Sequence, residues 1–210
     1  MQAWQFISVF ILKYSKKVEN VMKKNICVYC SSSEYLDEKF YEVAYNFGKM
    51  IAKSGDNLVY GGSTCGCMGK VANGVLDNGG KVIGIIPKAI MEKGIANPSA
   101  SEIIVSEDMN DRKMMMEEKA DAFVALPGSF GTMDEIFQVI VTKQLSYHKK
   151  AIVFLNVDGY YNPLFEMIEN FYKFGFAREF NRELYYIANS PDDAINYLDK
   201  YVEKEFVFKY

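Results

Sequence analysis

The segment that decides the fold reads AFVALPGSFGTMDE and spans residues 122–135. Its first part, Ala122 to Leu126, is a short apolar run of the kind that forms a buried strand. A turn with two glycines follows and leads into a helical pattern. Because glycine has no Cβ, backbone N–H groups in such a turn can face outward, and the positive end of the helix attracts an anion. The segment therefore predicts a strand, a phosphate-binding turn and a helix with Thr132 as its N-cap.

Glu135 lies one turn into the predicted helix, close to any ligand that the turn would bind. A carboxylate repels a bound phosphate, so its presence here indicates chemistry on the sugar that carries the phosphate. The alternative is a capping box, because Thr132 and Glu135 have the T-x-x-E spacing in which the glutamate bonds back to the N-cap amide. The residues of this segment leave both interpretations open.

Short apolar runs, mostly β-branched, recur along the chain and are separated by segments long enough for a helix. The intervening segments, such as Asp37 to Ser54 and Thr132 to Ser146, carry apolar residues at helical spacing, and a last helix is expected to start at Pro191. This alternation predicts an α/β fold, a doubly wound, Rossmann-like parallel sheet with helices on both faces, and ligands at the carboxyl ends of the strands. The predicted strands are Asn25 to Cys30, Asn57 to Tyr60, Lys81 to Ile86, Glu102 to Val105, Ala122 to Leu126 and Ala151 to Leu155.

The bulk composition indicates one domain without a basic surface. With 210 residues, of which 50% are hydrophobic, the chain can bury roughly 70% of its unfolded surface. The net charge of −3 gives no electrostatic footprint for nucleic acid. The apolar run Trp4 to Leu12 is too short to span a bilayer, so we expect no membrane partner. Met22 directly precedes the first strand, which predicts a nucleotide-binding domain over residues 22–210, with residues 1–21 as a helical extension or a start-site artefact.

Four cysteines invite a metal or disulfide interpretation, because Cys27 and Cys30, and also Cys65 and Cys67, have the spacing of paired ligands. Residues three apart on a strand point to opposite faces, so Cys27 and Cys30 do not easily share an ion. We therefore expect reduced thiols in a cytoplasmic protein, without a metal site.

Two further loops follow predicted strands and should meet the 127–135 segment at one edge of the sheet. Ser31 to Ser33 form the first loop, and the second, residues 61–69, contains Gly62 and Ser63 as candidates for nucleotide binding. This second loop has neither the P-loop nor the G-x-G-x-x-G pattern. Arg112 and Lys113 stand just inside a predicted helix at the same edge. The guanidinium would hold a phosphate or ribose oxygen or orient Glu135, and the alternative is a solvated helix face.

Taken together, these motifs resemble those of the LONELY GUY (LOG) family, from about Met22 to Tyr201. They occur in the family's order and spacing, and they are Tyr60-Gly61-Gly62, Gly66-x-Met68-Gly69, Ile86-Pro87-Lys88, Met109-x-x-Arg112-Lys113 and Pro127-Gly128-x-x-Gly131-Thr132-x-x-Glu135. Relatives often bear the older label "lysine decarboxylase", but no lysine here lies in a recognisable pyridoxal phosphate context. The resemblance instead implies a cytokinin riboside 5′-monophosphate phosphoribohydrolase, an enzyme of cytokinin biosynthesis that splits an N6-substituted AMP into free base and ribose 5-phosphate.

The resemblance also implies roles for individual residues. Arg112 and Glu135 match the family's catalytic pair, and Lys113 and Asp134 match flanking ligand contacts. The family's phosphate-binding loop is matched by Gly128, Ser129, Phe130, Gly131 and Thr132. Cleavage of an N-glycosidic bond develops positive charge on the ribose, which a carboxylate stabilises, so the chemistry calls for neither a metal nor a cofactor.

This chain departs from the family pattern at four positions. Ser129 replaces the second glycine of the loop, which is tolerable if its φ is negative, and Asn110 stands where a histidine is common. Gly94 falls where many members have a glutamate, and Val141 replaces a frequent threonine. The departures bear on base specificity more than on cleavage, so adenine and N6-modified adenine both stay open.

The resemblance further implies at least a homodimer. The helix around Met114 to Met116 and the segment Ile136 to Leu145 carry more hydrophobic residues than one sheet face covers, and we expect them at a two-fold interface. An alternative to an enzyme is a non-catalytic nucleotide sensor or a carrier of a phosphorylated cofactor, because one fold serves many functions.

Overall fold

Seven parallel strands form a single sheet in the order β4-β3-β2-β1-β5-β6-β7. The computed structural model describes residues 23–204, so the predicted N-terminal extension, residues 1–21, lies outside the described residues. The strands are β1 Asn25–Tyr29, β2 Asn57–Tyr60, β3 Lys81–Pro87, β4 Glu102–Ser106, β5 Ala122–Ala125, β6 Ala151–Leu155 and β7 Tyr186–Ala188. The α-helices are α1 Glu38–Lys53, α2 Gly66–Leu76, α3 Lys88–Met91, α4 Met109–Lys119, α5 Phe130–Gln144, α6 Asn162–Lys173 and α7 Pro191–Lys200.

Helices cover both faces of the sheet and create two hydrophobic cores. Helices α1, α2 and α7 pack on one face against side chains such as Ile26 and Val28. Helices α4, α5 and α6 pack on the other face, against Cys27 and Tyr29. Successive residues of one strand thus enter opposite cores, which is why the strands are apolar throughout. The predicted doubly wound α/β fold is confirmed, and Cys27 and Cys30 lie on opposite faces as expected.

Polar residues fix where the helices begin. The Asp37 side chain accepts a hydrogen bond from the N–H of Lys39 at the start of α1. Asp108 caps α4 by accepting from the N–H groups of Asn110 and Asp111, and Ser190 caps α7 immediately before Pro191. Side-chain oxygens at N-caps satisfy N–H groups that have no partner inside the helix. These caps therefore set the register in which each apolar helix face meets the sheet.

The strand order reverses between β1 and β5. From β1 the chain runs outward through β2 and β3 to β4, and then returns to form β5 on the other side of β1. Loops that leave adjacent strands in opposite directions open a crevice at their carboxyl ends, the usual place for a ligand in such sheets. In the range 23–204, no helix has the length and apolar character needed to cross a membrane.

Candidate active site

A cavity of about 370 Å³ opens at the carboxyl edge of the sheet, where the strand order reverses. Its walls come from the segments that follow β1, β2, β3, β4 and β5, including Ser31 to Ser33 and Ser63. The volume lies within the usual range for small-molecule sites. The prediction that Ser31 to Ser33, residues 61–69 and residues 127–135 meet at one edge of the sheet is confirmed.

Arg112 and Glu135 form a buried ion pair inside this cavity. The Arg112 Nη1 donates to the Glu135 Oε1 over 2.5 Å, and both side chains are only 5% exposed. The Arg112 Nε donates to the carbonyl of Ile85 at the end of β3, over 3.0 Å. These two bonds hold the guanidinium plane in one orientation. Arg112 is therefore not on a solvated helix face, and its helix brings it directly to Glu135.

The absence of a side chain at Gly61 makes room for the guanidinium. A Cβ at this position would lie 2.3 Å from the Arg112 Nη2 and 3.1 Å from the Met68 Sδ. Both distances are shorter than van der Waals contact, so Arg112 can lie against the loop after β2 only because Gly61 has no Cβ.

Burial raises the pKa of Glu135 above its usual value, and the positive charge of Arg112 opposes that rise. Desolvation disfavours the charged form of a carboxyl, whereas a guanidinium in hydrogen-bond contact favours it. A carboxyl balanced between these effects suits either charge stabilisation or proton exchange with a ligand.

The glycine loop, defined as residues 127–132, leads from β5 into α5. Helix α5 begins at Phe130 and its N-cap is Ser129, so the predicted N-cap at Thr132 is wrong. Thr132 is instead buried in the first turn, packed so tightly that a Cβ at Gly128 would lie 2.1 Å from its Oγ1. The capping-box interpretation also fails, because the Glu135 carboxylate bonds to Arg112. The φ of Ser129 is −107°, the negative value that its replacement of glycine requires.

The other predicted site residues divide between the cavity and its surroundings. Ser63, Ser129, Gly131 and Thr132 line the cavity together with the ion pair. The Lys113 Nζ instead donates to Asp134 at 2.9 Å outside the cavity wall. Gly62 does not line the cavity, and its carbonyl accepts a 2.8 Å bond from the Asn97 N–H. The Phe130 side chain is 92% exposed and does not line the cavity.

Sequence reasoning missed the apolar wall of the cavity. Met68, Ile90, Ile95 and Met109 contribute to it from three different connecting segments. Met68 and Met109 lay within the quoted motifs, yet nothing in their spacing distinguished a pocket lining from core packing. A flat aromatic ligand would find in these side chains the apolar surface that it needs.

No group of three His, Cys, Asp or Glu side chains within residues 23–204 is placed to hold a metal ion. The four cysteines are all free thiols, and Cys30 lines the cavity.

Comparison with known proteins gives a consistent set of relatives. A family model described as "Possible lysine decarboxylase" matches residues 68–198. A probable cytokinin riboside 5′-monophosphate phosphoribohydrolase of Oryza sativa subsp. japonica is 39% identical over 178 residues, covering 85% of this chain and 73% of the relative. A cytokinin riboside 5′-monophosphate phosphoribohydrolase of Arabidopsis thaliana is 38% identical over 178 residues, covering 85% of this chain and 83% of its own.

Solved structures share the fold at lower identity. The molybdenum cofactor binding protein of Rippkaea orientalis matches with a TM-score of 0.66 and 22% identity, covering 85% of this chain and 97% of that chain. The molybdenum cofactor carrier protein of Chlamydomonas reinhardtii matches with a TM-score of 0.66 and 21% identity, covering 85% and 96%. At such identities the likeness concerns the fold alone.

Proposed function

The chain belongs to the LOG family, and from that premise we propose that it hydrolyses the N-glycosidic bond of an adenosine 5′-monophosphate, with or without an N6 substituent. The products are the free base and ribose 5-phosphate. The observation that carries the proposal is the buried ion pair of Arg112 and Glu135 inside a cavity of nucleotide size.

The two ends of the cavity suit the two ends of a nucleotide. The first turn of α5 leaves backbone N–H groups without partners in the helix, and its positive end favours a phosphate. Ser129, Gly131 and Thr132 bring these groups to the cavity. The base would lie against the apolar wall, between Met68 and Met109. The ribose would then lie between the two ends, beside Glu135.

The reaction breaks the bond between the anomeric carbon and the base nitrogen, and a water molecule supplies the new oxygen. As the bond breaks, its electron pair goes to the base and positive charge develops on the ribose. The Glu135 carboxylate stabilises this charge and orients the water, one of whose protons ends on the released base. Arg112 holds the carboxylate in place through its Nη1, and its positive charge favours the charged form of Glu135.

A non-catalytic carrier of a phosphorylated cofactor is the alternative. Its support is the likeness to molybdenum cofactor proteins at 21% and 22% identity, which is a likeness of fold. A carrier needs the anion-binding loop but has no need of a buried carboxylate next to the ligand, since burying a charge is unfavourable unless it has a partner and a use. The ion pair and the 38% identical phosphoribohydrolases therefore favour the enzyme.

The test is base release by the Glu135→Gln variant. Incubation with nucleoside 5′-monophosphates, followed by chromatography, should show release by the wild type and a loss of at least about a hundredfold in the variant. The glutamine oxygen can still accept from Arg112, so nucleotide binding and the thermal midpoint should stay close to those of the wild type. Glu118→Gln makes the same chemical change at an exposed position of α4 and should retain full activity. A fully active Glu135→Gln would contradict the mechanism.

We also propose that the protein acts as a cytoplasmic homodimer. Four free thiols suit a reducing compartment. Met114, Val141 and Leu145 are exposed on α4 and at the end of α5, and they support an interface on this side. Met116 and Ile136, which the sequence also placed there, are fully buried in the core instead.

A further inference from the structure

Two consecutive tyrosines in the segment after β6 donate to backbone carbonyls within the glycine loop and just before it. The Tyr160 hydroxyl donates to the Gly128 carbonyl over 2.8 Å. The Tyr161 hydroxyl donates to the Leu126 carbonyl over 2.6 Å. Neither tyrosine lines the cavity, and the function proposed above uses neither of them.

The two hydrogen bonds have different consequences for the cavity. In a planar trans peptide the C=O and the next N–H point in opposite directions. When Tyr160 holds the Gly128 carbonyl away from the cavity, the N–H of Ser129 in the same peptide group points toward it, and Ser129 lines the cavity. The Leu126 carbonyl belongs to a peptide group with Pro127, which has no N–H. The Tyr161 hydroxyl also interacts with the backbone of Gly128. Tyr161 does not line the cavity, so its contacts fix the start of the loop without aiming a donor into the cavity.

The surroundings of Tyr160 hold it in this position. Asp158 and Gly159 turn the chain sharply, with φ values of 50° and 72°. Asp158 forms a 3.0 Å ion pair with Lys39 at the start of α1. The Tyr160 ring meets the ring of Phe40 edge-on, with 5.9 Å between centroids. Tyr160 therefore contacts α1 through its ring and the glycine loop through its hydroxyl.

The two tyrosines differ in burial. Tyr160 is 45% exposed, whereas Tyr161 is 2% exposed and packs against Phe154 in the core. Removal of the Tyr161 hydroxyl leaves a buried carbonyl without its partner, which destabilises a protein. The bond that Tyr160 makes is only partly buried, whereas the bond that Tyr161 makes is buried, so stability should depend less on the Tyr160 hydroxyl.

We propose that Tyr160 is a positioning residue for the 5′-phosphate. Its hydroxyl keeps the Ser129 N–H aimed at the phosphate, which makes the segment after β6 a second support of the anion site. This inference rests on the proposed function, since it takes the ligand of the glycine loop to be the phosphate of a nucleotide.

The test compares Tyr160→Phe with Tyr161→Phe, which removes the same hydroxyl one residue later. The measurements are KM and kcat for base release, the inhibition constant of ribose 5-phosphate, its dissociation constant by calorimetry, and the thermal midpoint. In Tyr160→Phe, KM and both constants for ribose 5-phosphate should rise about tenfold, the size expected when one hydrogen bond to a charged group weakens. Its kcat and thermal midpoint should stay near wild type. In Tyr161→Phe the midpoint should fall while the three constants stay unchanged.

Two results would overturn the inference: unchanged affinity for ribose 5-phosphate in Tyr160→Phe, or an equal loss of affinity in both variants, which would mean general loosening of the loop. Failure of the proposed function looks different. In that case wild type releases no base, while calorimetry still reports whether Tyr160 governs the binding of ribose 5-phosphate. If the wild type binds no ribose 5-phosphate, both the role of Tyr160 and the proposed function are wrong.

Discussion

Substitution of Gly61 by alanine tests whether the position of Arg112 controls catalysis. The backbone at Gly61 is one that alanine adopts, so the change acts only through the added methyl group. That Cβ would lie 2.3 Å from the Arg112 Nη2, whereas ordinary contact begins at 3.4 Å. The guanidinium must therefore move by the difference, 3.4 − 2.3 = 1.1 Å.

A displacement of this size acts directly on the ion pair. The guanidinium is held by Ile85 on one side and by Glu135 on the other, and its Nη1 lies 2.5 Å from the Glu135 Oε1. It cannot move away from Gly61 without altering at least one of these bonds. Misplacement of a positioning group by about 1 Å lowers rates by about a hundredfold. We expect a loss of this order in kcat/KM, with the thermal midpoint near that of the wild type.

The assay is release of free base, with Arg112→Ala and the double variant Gly61→Ala/Arg112→Ala measured in parallel. If Gly61 acts through the guanidinium, the double variant should be about as active as Arg112→Ala alone, because the methyl group then meets only the flexible end of the Met68 side chain. Activity of Gly61→Ala within a few-fold of wild type would refute the reasoning. So would additive losses in the double variant.

Three further predictions concern the pair, the interface and a buried lysine. Arg112→Lys should lose nearly as much base release as Arg112→Ala, since an ammonium cannot bond to Ile85 and Glu135 in the same fork, and a fully active lysine variant would contradict this. Val141 is exposed on α5, and Val141→Arg should give a monomer, measured by light scattering, with lower activity than the wild type. A fully active monomer would contradict the proposed interface. Burial lowers the pKa of Lys143 from its ordinary value of 10.5 to about 8, so between these two pH values the unfolded state binds more protons than the folded state. The free energy of unfolding, measured by chemical denaturation, should therefore rise across that pH range by up to about 3 kcal/mol more in the wild type than in Lys143→Met. If the free energies of the two proteins changed with pH in parallel, the lowered pKa of Lys143 would be contradicted.

The sequence predicted what depends on local pattern. Six strands, the start of the last helix and the meeting of the loops at one edge follow from apolar periodicity and from the geometry of parallel sheets. Strand β7 was missed because Tyr186–Ala188 is only three residues long and lies in an aromatic-rich region without an apolar run. The N-cap of α5 was placed three residues late, since Thr132 has the residue type of an N-cap but packs against Gly128 inside the first turn.

The remaining features depend on contacts that no local pattern encodes. The hydrogen bond from Tyr160 to Gly128 joins residues that are 32 positions apart. In the sequence, Tyr160 cannot be distinguished from a tyrosine that only packs in the core. Similarly, Lys143 looks like an exposed helical lysine, yet it is fully buried and donates to the Tyr201 hydroxyl 58 residues away. Such pairs are set by the order of strands in the sheet, which fixes which loops become neighbours.

The same topology explains why Arg112 and Glu135, the proposed catalytic pair, lie where they do. Strand β4 is at one end of the sheet and β5 is beside β1, so the connection between them must cross β3, β2 and β1. Helix α4 makes this crossing and contacts all four of β1 to β4. Arg112, in its first turns, reaches Ile85 at the end of β3, Gly61 after β2, and Glu135 on α5 after β5. One guanidinium therefore joins three strand ends across the reversal in strand order. Arg112 and Glu135 come from helices that follow strands on either side of the reversal, so their ion pair forms only when both halves of the sheet are assembled.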